Sequence, residues 1–114
     1  MSKNNMSLAE AYYTAVAERD FAEVEKYLHP DVQFIAPLAK MKGKEAVMEA
    51  TKQFASFFKS LKIRAKLDAG DQAVIVYDLE CPVGDLSAAV LLTFQEGLVS
   101  KLELFYDARP FEKR

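Results

Sequence analysis

The sequence predicts an α+β fold in which helices pack on one face of a curved, mostly antiparallel sheet. Two observations carry this prediction. Apolar residues recur at helical spacing through most of the first sixty positions, and they recur at strand spacing from residue 61 onwards. Short turn sequences also separate the later strands, as expected of neighbours that run antiparallel. The predicted order of elements is α-α-β-α-β-β-β-β.

The composition is that of one globular domain. The chain has 114 residues, of which 51% are hydrophobic and 28% are charged, and this length supports a single core. A net charge of −2 gives no basic footprint for nucleic acid or an anionic membrane. The lone Cys81 excludes an internal disulfide and fits a reducing compartment. With no apolar run long enough for a membrane span and no signal-peptide pattern, we expect a cytoplasmic protein.

Helix caps predict the first two helices. A capping box at Ser7 predicts a helix from there to about Glu18, after a frayed tail of residues 1–6. A second cap at Asp20 predicts a short helix that ends near Leu28.

The middle of the chain predicts a strand, a turn and a long helix. The strand covers residues 31–37, and Pro37 suggests that it is short or lies at a sheet edge. A basic turn follows at residues 40–44, and the helix runs over about 44–59. Its apolar positions recur at close to heptad spacing. These positions are Val47, Ala50, Thr51, Phe54, Phe57, Phe58 and Leu61.

Four strands complete the predicted sheet, and a tail of residues 109–114 follows them. The strands cover residues 61–68, 72–81, 86–94 and 98–107.

The last two strands are predicted to form a hairpin with two different faces. If Gln95–Gly97 is a three-residue loop, Val90 faces Leu102 across the pair. The first face is apolar enough to line a core or a pocket. It carries Ala88, Val90, Leu92, Phe94, Leu102, Leu104 and Tyr106. The second face mixes apolar residues with a few charges, and its apolar members are Ala89, Leu91, Val99 and Phe105.

Several short motifs carry a resemblance to a known family. They are Asp20–Ala22, Leu28–Phe34, Gly43–Val47, Phe94–Val99 and Tyr106–Asp107. In this order and spacing, over about residues 7–108, the chain resembles the nuclear transport factor 2-like superfamily and, within it, SnoaL-like and ketosteroid isomerase-like domains. The resemblance implies a cone, in which the sheet wraps around the long helix and a pocket opens between sheet and helices.

The resemblance also locates the positions of the catalytic groups of ketosteroid isomerases. Their first-helix tyrosine is matched by Tyr12, but their two carboxyl positions correspond to Ala36 and Val90. An alanine cannot move a proton and a valine cannot donate a hydrogen bond, so the isomerase mechanism should be absent. Eight residues are expected to line the pocket and contact a ligand. They are Tyr12, Phe34, Ala36, Phe58, Tyr77, Val90, Leu104 and Tyr106.

The direction of Asp78 depends on the turn that follows it. A two-residue loop at residues 83–84 directs Tyr77 into the cone, and a three-residue loop at 82–84 directs Asp78 inward. The apolar pattern favours the first, because it keeps charge out of an apolar interior. An inward Asp78 would be the best acid or base in the chain.

The remaining reactive residues have structural interpretations. His29 is expected to hydrogen-bond the last carbonyls of the second helix. Cys81 lacks a histidine partner in sequence and is not expected to be a catalytic thiol. No residues have the spacing of metal ligands, so neither a metal nor another cofactor is expected.

Three functions fit these observations. The first is a SnoaL-like domain that binds a small hydrophobic or aromatic molecule. The second is a SnoaL-like isomerase, cyclase or hydrolase that uses Asp78. The third is a protein-interaction or dimerisation domain with a filled core. A homodimer is expected, because a monomer would leave the second hairpin face in water. The residues expected at its interface are Ala89, Leu91, Val99 and Phe105.

Overall fold

The computed structural model describes residues 2–37, 39–82 and 84–106, in which three helices pack against a six-stranded sheet. The predicted α+β class is confirmed. The predicted tail 109–114 and the last predicted strand residue, Asp107, lie outside the described residues. The elements are α1 (Ser2–Glu18), α2 (Phe21–Lys26), β1 (Leu28–Ala36), β2 (Ala39–Lys42), α3 (Lys44–Phe57), β3 (Ser60–Asp68), β4 (Gln72–Glu80), β5 (Leu86–Gln95) and β6 (Leu98–Tyr106).

The strand order is β2-β1-β6-β5-β4-β3, and only the β1–β6 pair is parallel among the described strands. The sequence analysis missed β2, which it assigned to a basic turn. A strand of four residues has too little periodicity to detect, and here its pairing with β1, such as Phe34 with Met41, defines it. Because β2 pairs with β1, β1 is not an edge strand. Of the two interpretations of Pro37, a short strand or an edge strand, the second is therefore wrong.

Helix α1 begins earlier than predicted. It starts at Ser2, so Ser7 lies inside the helix and the predicted capping box is wrong. The side chain of Asn5 in this added turn donates a hydrogen bond to the carbonyl of Gly70, 2.9 Å away in the β3–β4 turn. The added turn of α1 thus contacts a segment that is distant in sequence, and a local sequence pattern cannot predict such a contact.

Helix α2 begins as predicted and ends sooner. The carboxylate of Asp20 caps it by accepting a hydrogen bond from the backbone N–H of Glu23 at 3.3 Å. Leu28 belongs to β1 instead, where it pairs with Val99. His29 therefore does not cap a helix: its Nδ1 accepts a hydrogen bond from the backbone N–H of Asp31 at 3.0 Å.

Helix α3 packs across the inner face of the sheet. It ends at Phe57, two residues before the predicted end. Met48 and Ala55 are buried although they were not predicted, whereas Phe54 and Phe57 are only half-buried. The fully buried face of α3 is therefore rotated relative to the predicted stripe, and the two phenylalanines border open space. Among the described residues, no helix combines the length and apolarity that crossing a membrane requires.

The β5–β6 hairpin has a shorter loop than predicted. Gln95 pairs with Leu98, so the loop consists of Glu96 and Gly97, which both have positive φ, 57° and 77°. The shorter loop moves the pairing by one position and an extra residue in β6, Ser100, moves it by one more, so Val90 pairs with Leu104, two positions beyond its predicted partner. Because side chains alternate with a period of two, this even total shift leaves the residues of β6 beyond Ser100 on their predicted faces.

The extra residue in β6 forms a β-bulge, and Val99, which precedes it, is not on its predicted face. Phe94 pairs with Val99 whereas Thr93 pairs with Lys101, so Ser100 is an extra residue in β6. Its hydroxyl donates a hydrogen bond to the carbonyl of Thr93 at 3.1 Å. Val99 therefore shares the inner face with Phe94 and is fully buried. The assignment of Val99 to the outer face was wrong.

Candidate functional site

A cavity of about 290 Å³ lies between α3 and the inner face of the sheet. The side chains of Phe54 and Phe57, which α3 contributes to its wall, are half-buried rather than fully packed. The lining residues are Phe34, Ala36, Ala39, Met41, Ala50, Gln53, Phe54, Phe57, Tyr77, Leu79, Leu86, Ala88, Leu104 and Tyr106.

Five of the eight residues predicted to line the pocket border this cavity. They are Phe34, Ala36, Tyr77, Leu104 and Tyr106. The sequence analysis missed Ala39 and Met41, because β2 itself was missed. It also omitted Phe54 and Phe57, although it placed them on the apolar stripe of α3. An apolar stripe alone does not distinguish residues that fill a core from residues that line a cavity.

The other three predicted residues lie elsewhere in the interior. Val90 is fully buried in the sheet core and borders neither this cavity nor the smaller chamber beside Tyr12. Phe58 follows α3 and packs against Arg19, whose guanidinium carbon lies 4.9 Å from the ring centroid. Tyr12 borders a second, smaller chamber.

The second chamber has a volume of about 30 Å³ and lies behind the first. Its lining includes Tyr12, Tyr13, Thr51 and Tyr77, so hydroxyl groups are concentrated there. Five residues border both chambers and form the wall between them. They are Phe34, Ala50, Phe54, Tyr77 and Leu104.

Three tyrosines from α1 and β4 form an aromatic cluster at this chamber. The rings of Tyr12 and Tyr13 meet edge to face with centroids 4.9 Å apart, and the rings of Tyr13 and Tyr77 are 5.1 Å apart. Burial raises the pKa of Tyr12 to about 12, against a smaller opposing effect of its hydrogen bond with Thr51. Burial also raises the pKa values of Tyr13 and Tyr77. All three are therefore neutral hydroxyl groups near pH 7.

Asp78 faces away from the cavity. Tyr77 points inward, as the apolar pattern predicted, although it pairs with Ala88 rather than with the predicted Val90. The side chain of Asp78 is 43% exposed on the outer face, where Oδ1 accepts a hydrogen bond from Ser87 Oγ at 2.7 Å. The candidate acid–base residue thus lies on the wrong face of β4 to act on a molecule in the cavity.

His29 and Cys81 do not border the cavity either. His29 Nε2 lies 3.4 Å from Glu96 Oε1 in the hairpin loop. Burial, with a further effect of Asp85, raises the pKa of the Cys81 thiol, which disfavours the reactive thiolate. Within the described parts of the chain, no group of three or more histidine, cysteine, aspartate or glutamate residues could hold a metal ion.

The fold defines a member of the nuclear transport factor 2-like superfamily. A protein of Kribbella flavida has a TM-score of 0.88 and 26% identity, over 95% of this chain and 90% of its own. A nuclear transport factor 2-like protein of unknown function from Cytophaga hutchinsonii has a TM-score of 0.82 and 20% identity, over 93% and 92%. Another Kribbella flavida protein, provisionally named a ketosteroid isomerase, has a TM-score of 0.81 and 22% identity, over 92% and 78%.

Comparison of the sequence with protein-family models identifies the family within this superfamily. The family model of the SnoaL-like domain matches residues 9–102. The chain therefore belongs to the SnoaL-like domain family. No curated protein sequence matches it.

Proposed function

We propose that this SnoaL-like domain binds a small apolar molecule in the larger chamber and does not use the ketosteroid isomerase mechanism. The chemistry of the lining carries this proposal. Of its 14 described residues, only Gln53, Tyr77 and Tyr106 have polar side-chain atoms. Such a site gains affinity from apolar burial, about 25 cal/mol per Å², while a few polar groups set the orientation of the ligand.

The volume of the chamber supports a ligand of about two rings. A cavity of roughly 150 Å³ lined by apolar side chains accommodates benzene. The chamber here, at about 290 Å³, is close to twice that size. A compact bicyclic compound is therefore a better match than a four-ring steroid.

The positions of the acids support binding rather than isomerisation. Ala36 borders the chamber and Val90 is fully buried in the sheet core, so neither position that holds a carboxyl group in ketosteroid isomerases offers one. Asp78 is on the outer face. Without a positioned base, the general acid–base contribution of about 10²–10⁴-fold is lost.

Naphthalene, a two-ring hydrocarbon, tests the proposal by equilibrium dialysis. Wild-type protein should bind it, and Ala50→Leu should weaken binding by at least about tenfold, because the larger side chain occupies space at the chamber wall. Ala46→Leu is the matched control: it lies one turn earlier in α3 at an exposed position that does not border the chamber, and it should leave binding unchanged. Failure of the folded wild type to bind naphthalene would contradict the proposal and favour the protein-interaction alternative.

A further inference from the structure

Tyr77 borders both chambers and has a polar hydroxyl group. Phe34, Ala50, Phe54 and Leu104 also border both spaces, but their side chains are hydrocarbon. The described wall between the chambers therefore offers one side-chain hydroxyl group. A ligand in the larger chamber that reaches this wall with a polar atom meets Tyr77.

The structure holds Tyr77 in one orientation. The residue lies within β4, between Ile63 of β3 and Ala88 of β5, and is 1% exposed. Its ring lies against the ring of Tyr13 with an interplanar angle of 34°. A hydroxyl group fixed by a strand and by ring packing is preorganised, so it does not lose side-chain freedom when a ligand binds.

The side chain of Tyr77 is hydrogen-bonded to that of Tyr13. This bond raises the pKa of Tyr13 and partly opposes the rise that burial causes in the pKa of Tyr77. A phenol carries a single proton. The oxygen of Tyr77 can donate one hydrogen bond with this proton and accept another, so Tyr77 can bond to a ligand as well as to Tyr13.

The volumes of the two chambers limit which part of a ligand each chamber can hold. The larger chamber holds about two rings. The smaller one, about 30 Å³, exceeds the roughly 10–15 Å³ that a cavity needs to hold one water molecule and is far below the roughly 150 Å³ of a cavity that binds benzene. It can accept a group of the size of one oxygen atom, and a ring cannot enter it.

We propose that the preferred ligand is a two-ring apolar compound with a carbonyl group, whose oxygen accepts a hydrogen bond from Tyr77. This inference rests on the proposed function and makes Tyr77 the residue that determines specificity. An analogue without the oxygen would bury the Tyr77 hydroxyl without a ligand partner, and such a mismatch reduces affinity.

A matched pair of probes tests the inference by equilibrium dialysis. 2-Acetylnaphthalene carries a carbonyl group, and 2-isopropenylnaphthalene replaces its oxygen with a CH₂ group of similar size. Wild-type protein should bind the ketone about 2- to 12-fold more tightly, which is the effect of one neutral hydrogen bond. Tyr77→Phe should abolish this preference. Tyr27→Phe, which removes a hydroxyl bonded to Glu23 outside the cavity, should retain it.

The outcomes separate the two proposals. Equal binding of both probes by the wild type, or an unchanged preference in Tyr77→Phe, overturns the inference and leaves the proposed function intact. Failure of both probes to bind overturns both. If Tyr77→Phe does not fold, infrared spectroscopy of the ketone bound to the wild type decides. The carbonyl stretch should be at a lower frequency than in hexane, and an unchanged frequency overturns the inference.

Discussion

The guanidinium group of Arg19 donates two hydrogen bonds to the carbonyl of Ala55, from Nη2 at 2.8 Å and from Nε at 3.2 Å. Nη2 also donates to the carbonyl of Phe58. The last four carbonyls of a helix have no partner within the helix, and a cation is favourable there. Arg19 thus connects the end of α1 to the end of α3, the helix that provides one wall of the larger chamber.

Replacing Arg19 should destabilise the fold. Arg19→Met removes charged hydrogen bonds to helix-end carbonyls, so we expect the free energy of unfolding to fall by about 1.5–3 kcal/mol in urea denaturation. Arg64→Met is the control. Its 3.8 Å contact with Asp78 is an exposed ion pair, which is worth about 0–1 kcal/mol. An equal loss in both variants would contradict the capping role of Arg19.

Phe54 should contribute less to stability than Phe58, although the two rings are in contact with centroids 5.0 Å apart. Phe58 is 2% exposed, so Phe58→Ala should cost about 3–5 kcal/mol in urea denaturation. Phe54 is half-buried and already borders both chambers, so Phe54→Ala should cost less and should join them. We also expect Phe54→Ala to bind anthracene, a three-ring hydrocarbon, more tightly than the wild type. A cost equal to that of Phe58→Ala would argue against this arrangement.

The buried tyrosines predict a loss of stability in alkali. Burial raises the pKa of Tyr12 from 10.0 to about 12. Below pH 10 the group is protonated in the folded and the unfolded chain alike. Between pH 10 and about 12 the unfolded chain loses a proton that the folded chain keeps, so the free energy of unfolding falls as the pH rises. Tyr13 and Tyr77, whose pKa values are also raised, act in the same direction.

Urea denaturation at a series of pH values from 8 to 11 measures this effect. The decline above pH 10 should be shallower in Tyr12→Phe than in the wild type, because one shifted hydroxyl is gone. The same decline in both proteins would mean that Tyr12 titrates normally in the folded chain.

Steroid isomerisation should be absent. The positions that correspond to the two carboxyl groups hold Ala36 and Val90, and Asp78 faces outward. With a 3-oxo-Δ5-steroid, formation of the conjugated ketone should not exceed the rate in buffer. Turnover that is abolished by Asp78→Asn would overturn this expectation and the proposed function with it.

We propose that the outer sheet face forms a homodimer. Cross-strand pairing places Ala89 beside Phe105 and Val76, and Leu91 beside Val74, so apolar residues adjoin over several strands. Phe105 is 57% exposed. An apolar patch of this kind is commonly covered, and a two-fold axis allows it to cover its own copy. Val99, which is buried inside the fold, takes no part.

Sedimentation of the wild type at micromolar concentration should give a dimer. Leu91→Glu should give a folded monomer, because it places a charge in the patch. Thr14→Glu, which adds the same charge at an exposed position of α1, should remain dimeric. A monomeric wild type would end the proposal.

The alternation of apolar residues was sufficient to predict the faces of β4, β5 and most of β6, but not of β3, where a bulge after Ile63 leaves Leu67 57% exposed. Ile75, Tyr77 and Leu79 point inward on β4, and Leu102 and Leu104 do so on β6. An odd slip of register would expose all of them, so burial strongly selects the face. The motifs around these strands were sufficient for the superfamily and for the α+β class.

Register required the tertiary structure. Val90 is displaced by two positions from its predicted partner, one because the loop contains only Glu96 and Gly97 and one because Ser100 is an extra residue in β6. An even slip retains the same faces and therefore leaves no trace in the apolar pattern. The bulge at Ser100 is likewise invisible in that pattern, and it moves Val99 from the outer face to the core.

Periodicity and motifs were thus enough for the class, the superfamily, the inward sides of β4 and β5 and the loss of the isomerase acids at Ala36 and Val90. Tertiary contacts were needed to establish that β2 exists, that Arg19 caps α3 and that Tyr77 rather than Tyr12 borders the larger chamber. The physical reason is the range of the interactions. Alternation and helical period are properties of neighbours in sequence, whereas these three features depend on contacts between segments that are distant in the chain.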